Sequence, residues 1–370
     1  MAKSRQMAEN ISVNLYICST VKHALFALMR ANHHPDEKHL ILYFSDYQNA
    51  RLDLAETRNN TENCQVVQLE RIALKDQLQS TVQGRIIYFC AMRNLPIGSF
   101  MRAKLIDEII RVAPELEEAE SLHNDHRLWL FNQRNRMSRL FRLLSPTFQI
   151  IEDGESNYFP KTVPAWKRPS RLLLGLPAKH RYYGEDKQCK EIWVQDVNRL
   201  PEYVRNKGRL IDFVDTAAAR KAATILFGSQ SALKDDQPVA ILATQPLELY
   251  KGSSIKGKLA LYRLTIQHLK KSGYKVYLKP HPAEDQSEYA AFAEDSSILD
   301  NKIPLEVYLC NMTQPALVVS MFSAAGLGFD NICRRLPLIE KNHLEEYICW
   351  IQQPELLEAA LTEKIPCPGS

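Results

Sequence analysis

The sequence VNLYICST at residues 13–20, together with the run Thr20 to Met29, is the clearest indication of the architecture. The first six of these residues are mostly apolar and predict a buried strand. The spacing of apolar residues from Thr20 to Met29 predicts a helix directly behind it. A strand followed at once by a helix is the repeating unit of a parallel sheet covered on both faces. We therefore expect the same alternation along the chain.

The alternation recurs in two series. Strands are predicted at His39 to Phe44, Arg85 to Cys90 and Phe148 to Ile151, with helices at Gly98 to Arg111 and His126 to Leu144. After the polar stretch 230–237, strands are predicted at Pro238 to Ala243, Tyr274 to Leu278 and Ala316 to Ser320. The helices of this series are predicted at Gly257 to Ser272, Glu306 to Asn311, Ala324 to Asn331 and Gln353 to Lys364. Residues 155–185 show no clear periodicity and are predicted to form a loop or lid.

The length of 370 residues exceeds the usual size of one hydrophobic core and predicts two domains. We assign residues 1–233 to an N-terminal Rossmann-like domain and residues 237–345 to a second Rossmann-like domain. Residues 346–370 are predicted to form a C-terminal helix and tail that packs at the domain junction. The predicted fold class is α/β.

The composition is ordinary for a soluble globular protein, with 45% hydrophobic and 24% charged residues. No apolar run approaches the roughly 20 residues that span a bilayer. The apolar run 11–18 is too short for the core of a signal peptide. The net charge of +4 is mild, and nucleic acid is not an expected partner because no nucleic-acid motif accompanies the basic residues.

The cysteines and histidines do not predict a metal site. The eight cysteines are scattered without a CxxC pair, which indicates reduced thiols and a cytoplasmic location. His33 and His34 are adjacent, so they cannot easily face one ion, and His123 and His126 have no third ligand nearby.

Polar residues follow the predicted strands at the point where each strand ends. They are Ser19 and Thr20, Glu152-Asp153-Gly154, Thr244-Gln245-Pro246, His281 and Ser320. Ligands of open α/β sheets gather beyond the carboxyl ends of the strands. A carboxylate base, a histidine that is an acid or an anion contact, and hydroxyls for a phosphate suit group transfer from a phosphate-bearing donor.

Each motif also has a purely structural interpretation. Glu152-Asp153-Gly154 is also typical of an exposed acidic turn, and His281 between two prolines could cap a helix that begins near Ala283. Serines after buried strands are frequent helix caps. For Thr20 and His23, capping together with an exposed helix face is favoured over contact with an acceptor or donor.

The order and spacing of the motifs resemble those of the bacterial sialyltransferases, including the lipooligosaccharide and capsular polysialic acid enzymes. Those families share a D/E-D/E-G motif, an HP motif and a downstream serine motif. The corresponding segments here are Glu152-Asp153-Gly154, His281-Pro282 and Ser320-Met321-Phe322-Ser323, and Thr244-Gln245-Pro246-Leu247 is similar to the loop that opens the nucleotide-binding half. The tandem serine or serine-threonine pair of the family is replaced here by two separated serines. Ser323 is slightly favoured as the phosphate contact because it is predicted to start a helix.

The resemblance implies a GT-B fold, in which residues 1–233 bind the acceptor and residues 237–345 bind CMP-sialic acid. It implies inversion at the anomeric carbon without a metal or other cofactor. Asp153 would be the base with Glu152 as its orienting neighbour, or the reverse, and His281 would contact the departing CMP phosphate. The implied donor-binding residues are Gly154, Thr244, Gln245, Pro282, Ser320 and Ser323, and Thr20 and His23 are weaker candidates for acceptor binding.

The implied acceptor is a glycan or lipid-linked oligosaccharide precursor of O-antigen, lipooligosaccharide or capsule. Basic residues with interleaved aromatic residues after position 126 form either a solvated surface or a rim for an anionic glycan or membrane headgroups. They are Arg127, Arg134, Arg136, Arg139, Arg142, Lys161, Lys167, Arg168, Arg171, Lys179 and Arg181, with Trp129, Trp166, Tyr182 and Tyr183. Peripheral association with the inner membrane is therefore a further expectation. The alternatives are transfer from CMP-Kdo or a UDP-hexose on the same scaffold, and a non-catalytic glycan-binding homologue.

Overall fold

The computed structural model describes residues 13–47, 52, 63–117, 122, 126–228, 233, 236–250, 252–301, 303–323, 325–340 and 344–367. The chain divides into two compact units, Met1–Val214 and Asp215–Ser370. Each unit has its own sheet and its own hydrophobic core.

In the described residues, the first unit is built on a seven-stranded parallel sheet of order β3-β2-β1-β4-β5-β8-β9. Its strands are β1 (Val13–Cys18), β2 (His39–Phe44), β3 (Cys64–Leu69), β4 (His126–Leu130), β5 (Phe148–Ile151), β8 (Cys189–Val194) and β9 (Gly208–Leu210). An antiparallel pair is formed by β6 (Lys161–Thr162) and β7 (His180–Arg181). The described helices are α1 (Val21–His33), α2 (Arg71–Ser80), α3 (Val82–Arg93), α4 (Ser99–Val112), α5 (Arg136–Phe141), α6 (Arg168–Leu173) and α7 (Glu202–Arg205).

The central strand β1 fixes the position of the functional residues in this unit. Every residue of β1 is buried, as expected for a strand covered on both faces. From β1, the strands β2 and β3 extend to one side, whereas β4 pairs with β1 on the other side. The strand order therefore reverses between β1 and β4, which is the point where ligand sites of open α/β sheets lie.

The second unit has a five-stranded parallel sheet of order β12-β11-β10-β13-β14 in its described residues. Its strands are β10 (Val239–Ala243), β11 (Lys275–Lys279), β12 (Ser297–Ile298), β13 (Ala316–Ser320) and β14 (Cys333–Pro337). The described helices are α8 (Thr216–Phe227), α9 (Ile255–Lys271), α10 (Leu305–Cys310), α11 (Leu344–Gln352) and α12 (Pro354–Lys364). Here the order reverses between β10 and β13.

The predicted α/β fold class, with one parallel sheet in each half of the chain, is confirmed. The predicted strands at β1, β2, β5, β10, β11 and β13 agree with the structure to within one residue at each end. No helix of the described residues is long and apolar enough to cross a membrane. All eight cysteines are free thiols.

The predicted strand at Arg85 to Cys90 is wrong, because these residues lie within α3. Thr81 Oγ1 accepts a hydrogen bond of 3.0 Å from the N–H of Gly84 and caps the helix start. Asn94 ends the helix in a left-handed conformation with φ 53°. Ile87 fills the core from the inward face of the helix, so the apolar run reflects helix packing.

The predicted helix at His126 to Leu144 is also wrong, because its first five residues form β4 and pair with β1. Only Arg136–Phe141 is helical, and Asn135 Oδ1 caps this short helix by accepting from the N–H of Ser138 at 2.7 Å. The arginines between 127 and 142 therefore do not share one helix face.

The predicted helix at Ala324 to Asn331 is not formed by the residues that the structure describes. Ala324 lies outside them, and residues 325–332 form turns. Gly326 and Gly328 have φ values of 71° and 95°, a left-handed conformation that a right-handed helix does not contain. Ser323 therefore does not start a helix.

The boundary between the units differs from the predicted one at 233. The units divide after Val214, because α8 packs against α10 of the second unit. Helices α11 and α12 pack against α9, and they add Tyr347, Trp350 and Leu361 to the core of that unit. The packing of 346–370 at a domain junction stays a prediction.

Several elements were not predicted from the sequence. Strands β3, β8, β9 and β14 carry polar or charged residues such as Gln65, Lys190 and Arg334. These residues interrupt the apolar run by which a buried strand is identified in a sequence. Residues 155–185, predicted as a loop or lid, contain β6, α6 and β7.

Candidate active site

In the first unit, Asp153 is the second residue after β5 and lies next to the loops that follow β1 and β4. Its Oδ1 lies 2.7 Å from Nε2 of His23, and its Oδ2 accepts from the amide of Asn132 at 3.2 Å. Its backbone N–H donates to Asn157 Oδ1 at 3.1 Å. About a quarter of the side chain is exposed, 24%. Asp153 is thus a fixed carboxylate that solvent can reach, at the switch point of the sheet.

Glu152 has a different environment, although it is the adjacent residue. It is buried, and its Oε2 accepts from the hydroxyl of Tyr158 and from the N–H of Gln195. These contacts join the end of β5 to the residue that follows β8. Glu152 therefore holds the loop together, and Asp153 is the carboxylate that can meet a ligand.

His23 is the residue of this site that the sequence analysis misplaced. It was expected on an exposed helix face, but its side chain is buried, 2% exposed, and stacks on Phe131 with ring centroids 4.2 Å apart. Its Nδ1 accepts from the N–H of Ser19 at 3.2 Å, so the ring proton is on Nε2 and is donated to Asp153. His23 positions Asp153, and its burial leaves no face for an acceptor.

Thr20 has the capping role that the sequence analysis favoured. Its Oγ1 accepts from the N–H of His23 at 3.2 Å and caps α1. Ser19 is held from the other side, because the Asn135 amide donates to its Oγ at 2.8 Å. The loops after β1 and β4 are therefore hydrogen-bonded to each other around Asp153.

The electrostatics of the site favour an ionised Asp153. Burial raises the pKa of this carboxyl group, but the contact with His23, the nearby Lys22 ammonium and the Asn132 amide outweigh burial and lower the pKa to about 2. Lys22 Nζ also donates to the carbonyl of Asp153 at 3.4 Å. The carboxylate is ionised throughout the physiological pH range.

In the second unit, His281 and Pro282 form a tight turn after β11. The N–H of Glu284 donates to the carbonyl of His281 at 2.9 Å, and Pro282 has the position that proline favours in such turns. The N–H of Ala283 donates to Nδ1 of His281 at 3.1 Å, so the neutral ring has its proton on Nε2. His281 is exposed, and Nε2–H is thus available as a donor.

Partial burial of the ring lowers the pKa of His281, with Lys279 adding to this effect and Glu284 opposing it. The imidazole is therefore neutral at pH 7. The neutral ring is a hydrogen-bond donor at Nε2, because Nδ1 already accepts from the N–H of Ala283 within the turn.

Glu284 was not identified from the sequence, and its side chain holds the turn at His281 and Pro282 through hydrogen bonds. Its buried carboxylate accepts from the Thr244 hydroxyl, from the N–H of His281 at 3.1 Å and from the Tyr289 hydroxyl at 2.8 Å. Its other partner is the fully buried Lys258, whose Nζ lies 3.0 Å from Glu284 Oε1. In the sequence, Glu284 stands three residues after His281, which is the last position of a four-residue turn. This spacing is the available indication of its role.

Lys258 also contacts Glu248 at 2.8 Å and Glu288 at 2.9 Å. Burial lowers the pKa of Lys258, but the hydrogen bonds to the three carboxylates outweigh burial and raise it above its usual value. The cation is therefore charged and paired, and Glu284 is its one fully buried partner among the three.

We expect Glu284→Gln to destabilise the protein by about 2 kcal/mol, because it leaves a buried ammonium with one carboxylate fewer. The free energy of unfolding in urea measures the effect. Glu288→Gln is the matched control, since that partner is partly exposed, and we expect a loss below about 1 kcal/mol. Equal losses in the two variants would contradict the role assigned to Glu284.

Thr244 and Gln245 directly follow β10, beside the loop that follows β13. Thr244 is buried and its hydroxyl oxygen accepts from the N–H of His281 at 3.0 Å, so it positions the histidine turn. Gln245 Oε1 accepts from the N–H of Phe322 at 3.0 Å. The two residues thus connect the ends of β11 and β13 at the switch point of the second sheet.

Ser320 and Ser323 are brought together, although residues 321 and 322 separate them. Ser320 is buried, and its Oγ accepts from the N–H of Ser323 at 3.2 Å. Ser323 Oγ accepts from the N–H of Ala325 at 3.0 Å and is partly exposed. Ser323 therefore has the more accessible hydroxyl group of the two. The reason is its partial exposure, since the predicted helix start is absent.

The aromatic residues near the arginines differ in accessibility. Trp129 and Tyr183 are buried, and Trp129 packs on Tyr16 and Arg30, so neither can stack on a sugar as the sequence analysis allowed. Tyr182 is stacked on Tyr203.

Within the residues that the structure describes, no group of three or more histidine, cysteine or acidic side chains could hold a metal ion; His123 lies outside them.

Comparison with known proteins gave one family match. A family model described as glycosyltransferase family 52 matches residues 102–333, which is more than half of the chain and includes Asp153, His281, Ser320 and Ser323. A comparison with curated protein sequences gave no significant match.

Among solved structures, the chain is similar to an alpha/beta-galactoside alpha-2,3-sialyltransferase from Photobacterium phosphoreum (10% identity, 94% of this chain and 96% of that chain, TM-score 0.45). It is also similar to a sialyltransferase from Photobacterium damsela (11% identity, 94% of this chain and 79% of that chain, TM-score 0.45). A third similar structure is the family 9 glycosyl transferase from Veillonella parvula (9% identity, 97% of this chain and 99% of that chain, TM-score 0.40). These likenesses are too weak to indicate a function for this chain.

Proposed function

Because the chain belongs to glycosyltransferase family 52, it is a glycosyltransferase, and we propose that it transfers sialic acid from CMP-sialic acid with inversion. The acceptor is a hydroxyl group of a bacterial surface glycan precursor, such as that of O-antigen, lipooligosaccharide or capsule. The observation that carries the proposal is the ionised, fixed and solvent-accessible Asp153 at the switch point of the first sheet.

In the proposed reaction, Asp153 accepts the proton of the acceptor hydroxyl as that oxygen bonds to the anomeric carbon. The bond between the anomeric carbon and the phosphate oxygen breaks, and CMP leaves with both electrons. His281 donates a hydrogen bond from Nε2–H to the phosphate and so stabilises the leaving group. Proton transfer to a positioned side chain contributes typically about 10²–10⁴-fold in rate.

The remaining residues support these two. Gly154 has φ 155° and allows the chain to turn directly after Asp153. Thr244 and Gln245 hold the loops of the second unit, and the Ser323 hydroxyl is the candidate contact for the donor phosphate. Pro282 fixes the histidine turn. We expect no metal requirement, because a monophosphate leaving group carries limited charge and the sequence has no D-x-D motif.

The test is CMP release from CMP-sialic acid by the purified protein in the presence of EDTA, with and without β-galactoside or oligosialic acceptors. Metal-independent release that the acceptor stimulates supports the proposal. If CMP-Kdo or a UDP-hexose is turned over instead, the chain still acts as a glycosyltransferase, but the assignment of CMP-sialic acid as its donor is wrong. The absence of turnover with every donor and acceptor would favour a non-catalytic glycan-binding homologue.

His23→Phe is expected to lower kcat about tenfold and to leave the KM for the donor unchanged. Phenylalanine keeps the stacking on Phe131 but removes the Nε2–H that holds Asp153. Since this contact keeps the pKa of Asp153 low, its loss raises that pKa, and the acid limb of the pH–rate profile moves to higher pH. The measurements are kcat and the KM for the donor, each as a function of pH.

His23→Gln is the control for this variant, because its side-chain amide can donate in place of Nε2–H. We expect it to restore part of kcat and to return the acid limb toward lower pH. A profile that is the same for His23→Phe and the wild type would contradict the positioning role of His23.

A further inference from the structure

A group of large apolar side chains is exposed on the segment that follows the acidic motif. Trp166 is 77% exposed, and the consecutive residues Leu172, Leu173 and Leu174 are 64%, 90% and 68% exposed. We refer to these four residues as the apolar tip. Contiguous exposed apolar surface marks a site of interaction, whereas scattered apolar residues do not.

The apolar tip belongs to an ordered structure. Helix α6 ends with the N–H of Leu176 bonded to the carbonyl of Arg171 and the N–H of Gly175 bonded to that of Leu172, both at 2.9 Å. Gly175 has φ 68°, which completes a Schellman motif. This cap fixes the end of the helix, so the leucines are exposed by a defined conformation.

Arg171 anchors the base of the tip. Its side chain is 11% exposed, and its guanidinium contacts the buried carboxylate of Glu185 at 3.0 and 2.8 Å. It also donates to the carbonyl of Pro177 at 2.8 Å. The second of the two arginines of the helix thus points its charge inward, and the residues that follow it present apolar side chains outward.

The charge around the apolar tip is positive. Between residues 156 and 184 the sequence has six lysine or arginine residues and no acidic residue. Lys161, Lys167 and Lys179 are exposed, and Lys167 Nζ lies 4.6 Å from the centre of the Trp166 ring. An apolar centre with a basic rim is complementary to a surface that is anionic outside and apolar inside.

We propose that the apolar tip docks this protein on a bilayer that contains anionic phospholipid. The leucines enter the boundary between headgroups and acyl chains, Trp166 lies at the interface, and the lysines contact the headgroup phosphates. A second copy of the chain fits this surface less well, because a two-fold contact would bring the same lysines of both copies together. The surface is therefore assigned to lipid.

The location of the tip connects docking to the acidic motif. The segment begins directly after Gly154, and Asn157 and Tyr158 bond to Asp153 and Glu152. A bilayer bound at the tip thus contacts the same segment of chain, 155–185, whose first residues are bonded to the acidic motif. This arrangement suits an acceptor whose lipid anchor is held in the same membrane.

The test is sedimentation of the full chain with vesicles of phosphatidylcholine alone and with added phosphatidylglycerol. We expect binding only with the anionic lipid, and a loss of at least about 30-fold in the partition coefficient for the variant Leu172→Ser, Leu173→Ser, Leu174→Ser. The variant Lys161→Gln, Lys167→Gln, Lys179→Gln should lose about tenfold and most of the dependence on salt. Brominated lipid should quench wild-type tryptophan fluorescence but not that of Trp166→Phe.

The matched control is Ile86→Ser, Phe89→Ser, Phe100→Ser, which removes exposed apolar side chains elsewhere in the first unit and should bind like the wild type. Transfer to a soluble acceptor by the triple leucine variant should be unchanged, so a failure of docking is distinct from a failure of the proposed function. Absence of wild-type binding, undiminished binding by the leucine variant, or equal loss in the control would overturn the proposal. A leucine variant that changes only the oligomeric state would assign the surface to a second copy and also overturn it.

Discussion

Asp153→Asn is expected to lower kcat/KM about 10³-fold, the largest effect on transfer that we expect for any change in the first unit. The amide retains the size of the carboxylate and can still accept from Nε2–H of His23, and the backbone N–H still donates to Asn157, although the hydrogen bond from the Asn132 amide is lost. It cannot accept the proton of an acceptor hydroxyl. The measurement is CMP release with and without acceptor, together with binding of the donor, which should be unchanged.

The same variant tests the charge of Asp153 through the pH dependence of stability. A carboxyl group whose pKa falls from 3.8 to about 2 on folding stabilises the native state by about 2 kcal/mol above the unfolded-state pKa. This contribution is lost as the pH falls through the folded-state pKa. We therefore expect the difference in stability between the wild type and Asp153→Asn to be present at neutral pH and to vanish toward pH 2.

Glu152→Gln is the matched control, because it changes the adjacent carboxylate in the same way. Glu152 is bonded to Tyr158 and Gln195 inside the unit, so we expect reduced stability and a much smaller loss of kcat/KM at temperatures where the variant is folded. If Glu152→Gln lost transfer and Asp153→Asn retained it, the base would be Glu152 and our assignment would be wrong.

The sequence predicts the fold well where a strand is mostly apolar and buried along its whole length. Strands β1, β10 and β13 are buried on both faces, so their composition alone identifies them. The stretch 126–144 was misassigned because a buried strand and a short helix follow each other, and their combined apolar spacing imitates one long helix. Arg85 to Cys90 was misassigned because a short apolar run does not distinguish a strand from a buried helix.

The candidate site shows a different limit of the sequence. The positions of Asp153 and His281 at strand ends follow from local pattern, since the ends of parallel strands can be located without knowing any contact. The roles of His23 and Glu284 depend on side chains that meet across 130 and 40 residues of sequence, with Asp153 and Thr244 respectively. No periodicity encodes such contacts, and packing decides them.

The two units both connect their strand-end loops by hydrogen bonds, but the charges at the two places differ. In each unit, two strand-end loops are hydrogen-bonded at the reversal of strand order, through His23 and Asn132 in the first unit and through Gln245 in the second. In the first unit the contacts stabilise a negative charge. In the second, a buried ion pair of Lys258 and Glu284 lies beneath a neutral imidazole.

His281→Ala is expected to lower the rate constant of transfer at saturating donor by about 10²-fold, through loss of the Nε2–H donor that meets the CMP phosphate. The side chain is exposed and its backbone N–H remains bonded to Thr244 and Glu284, so the turn and the stability of the unit should change little. The measurement is single-turnover CMP release at saturating donor, which separates the chemical step from donor binding.

The pH dependence distinguishes a hydrogen-bond donor from a proton donor at this position. Since the pKa of His281 is lowered, a requirement for the imidazolium form would make wild-type activity fall as the pH rises through values below 6.5. We expect no such fall up to pH 8, because the neutral ring keeps its proton on Nε2. His281→Gln, whose amide can donate from a similar position, should recover part of the lost rate. A basic limb that ends below pH 6.5 in the wild type and is absent in His281→Gln would instead make His281 a general acid.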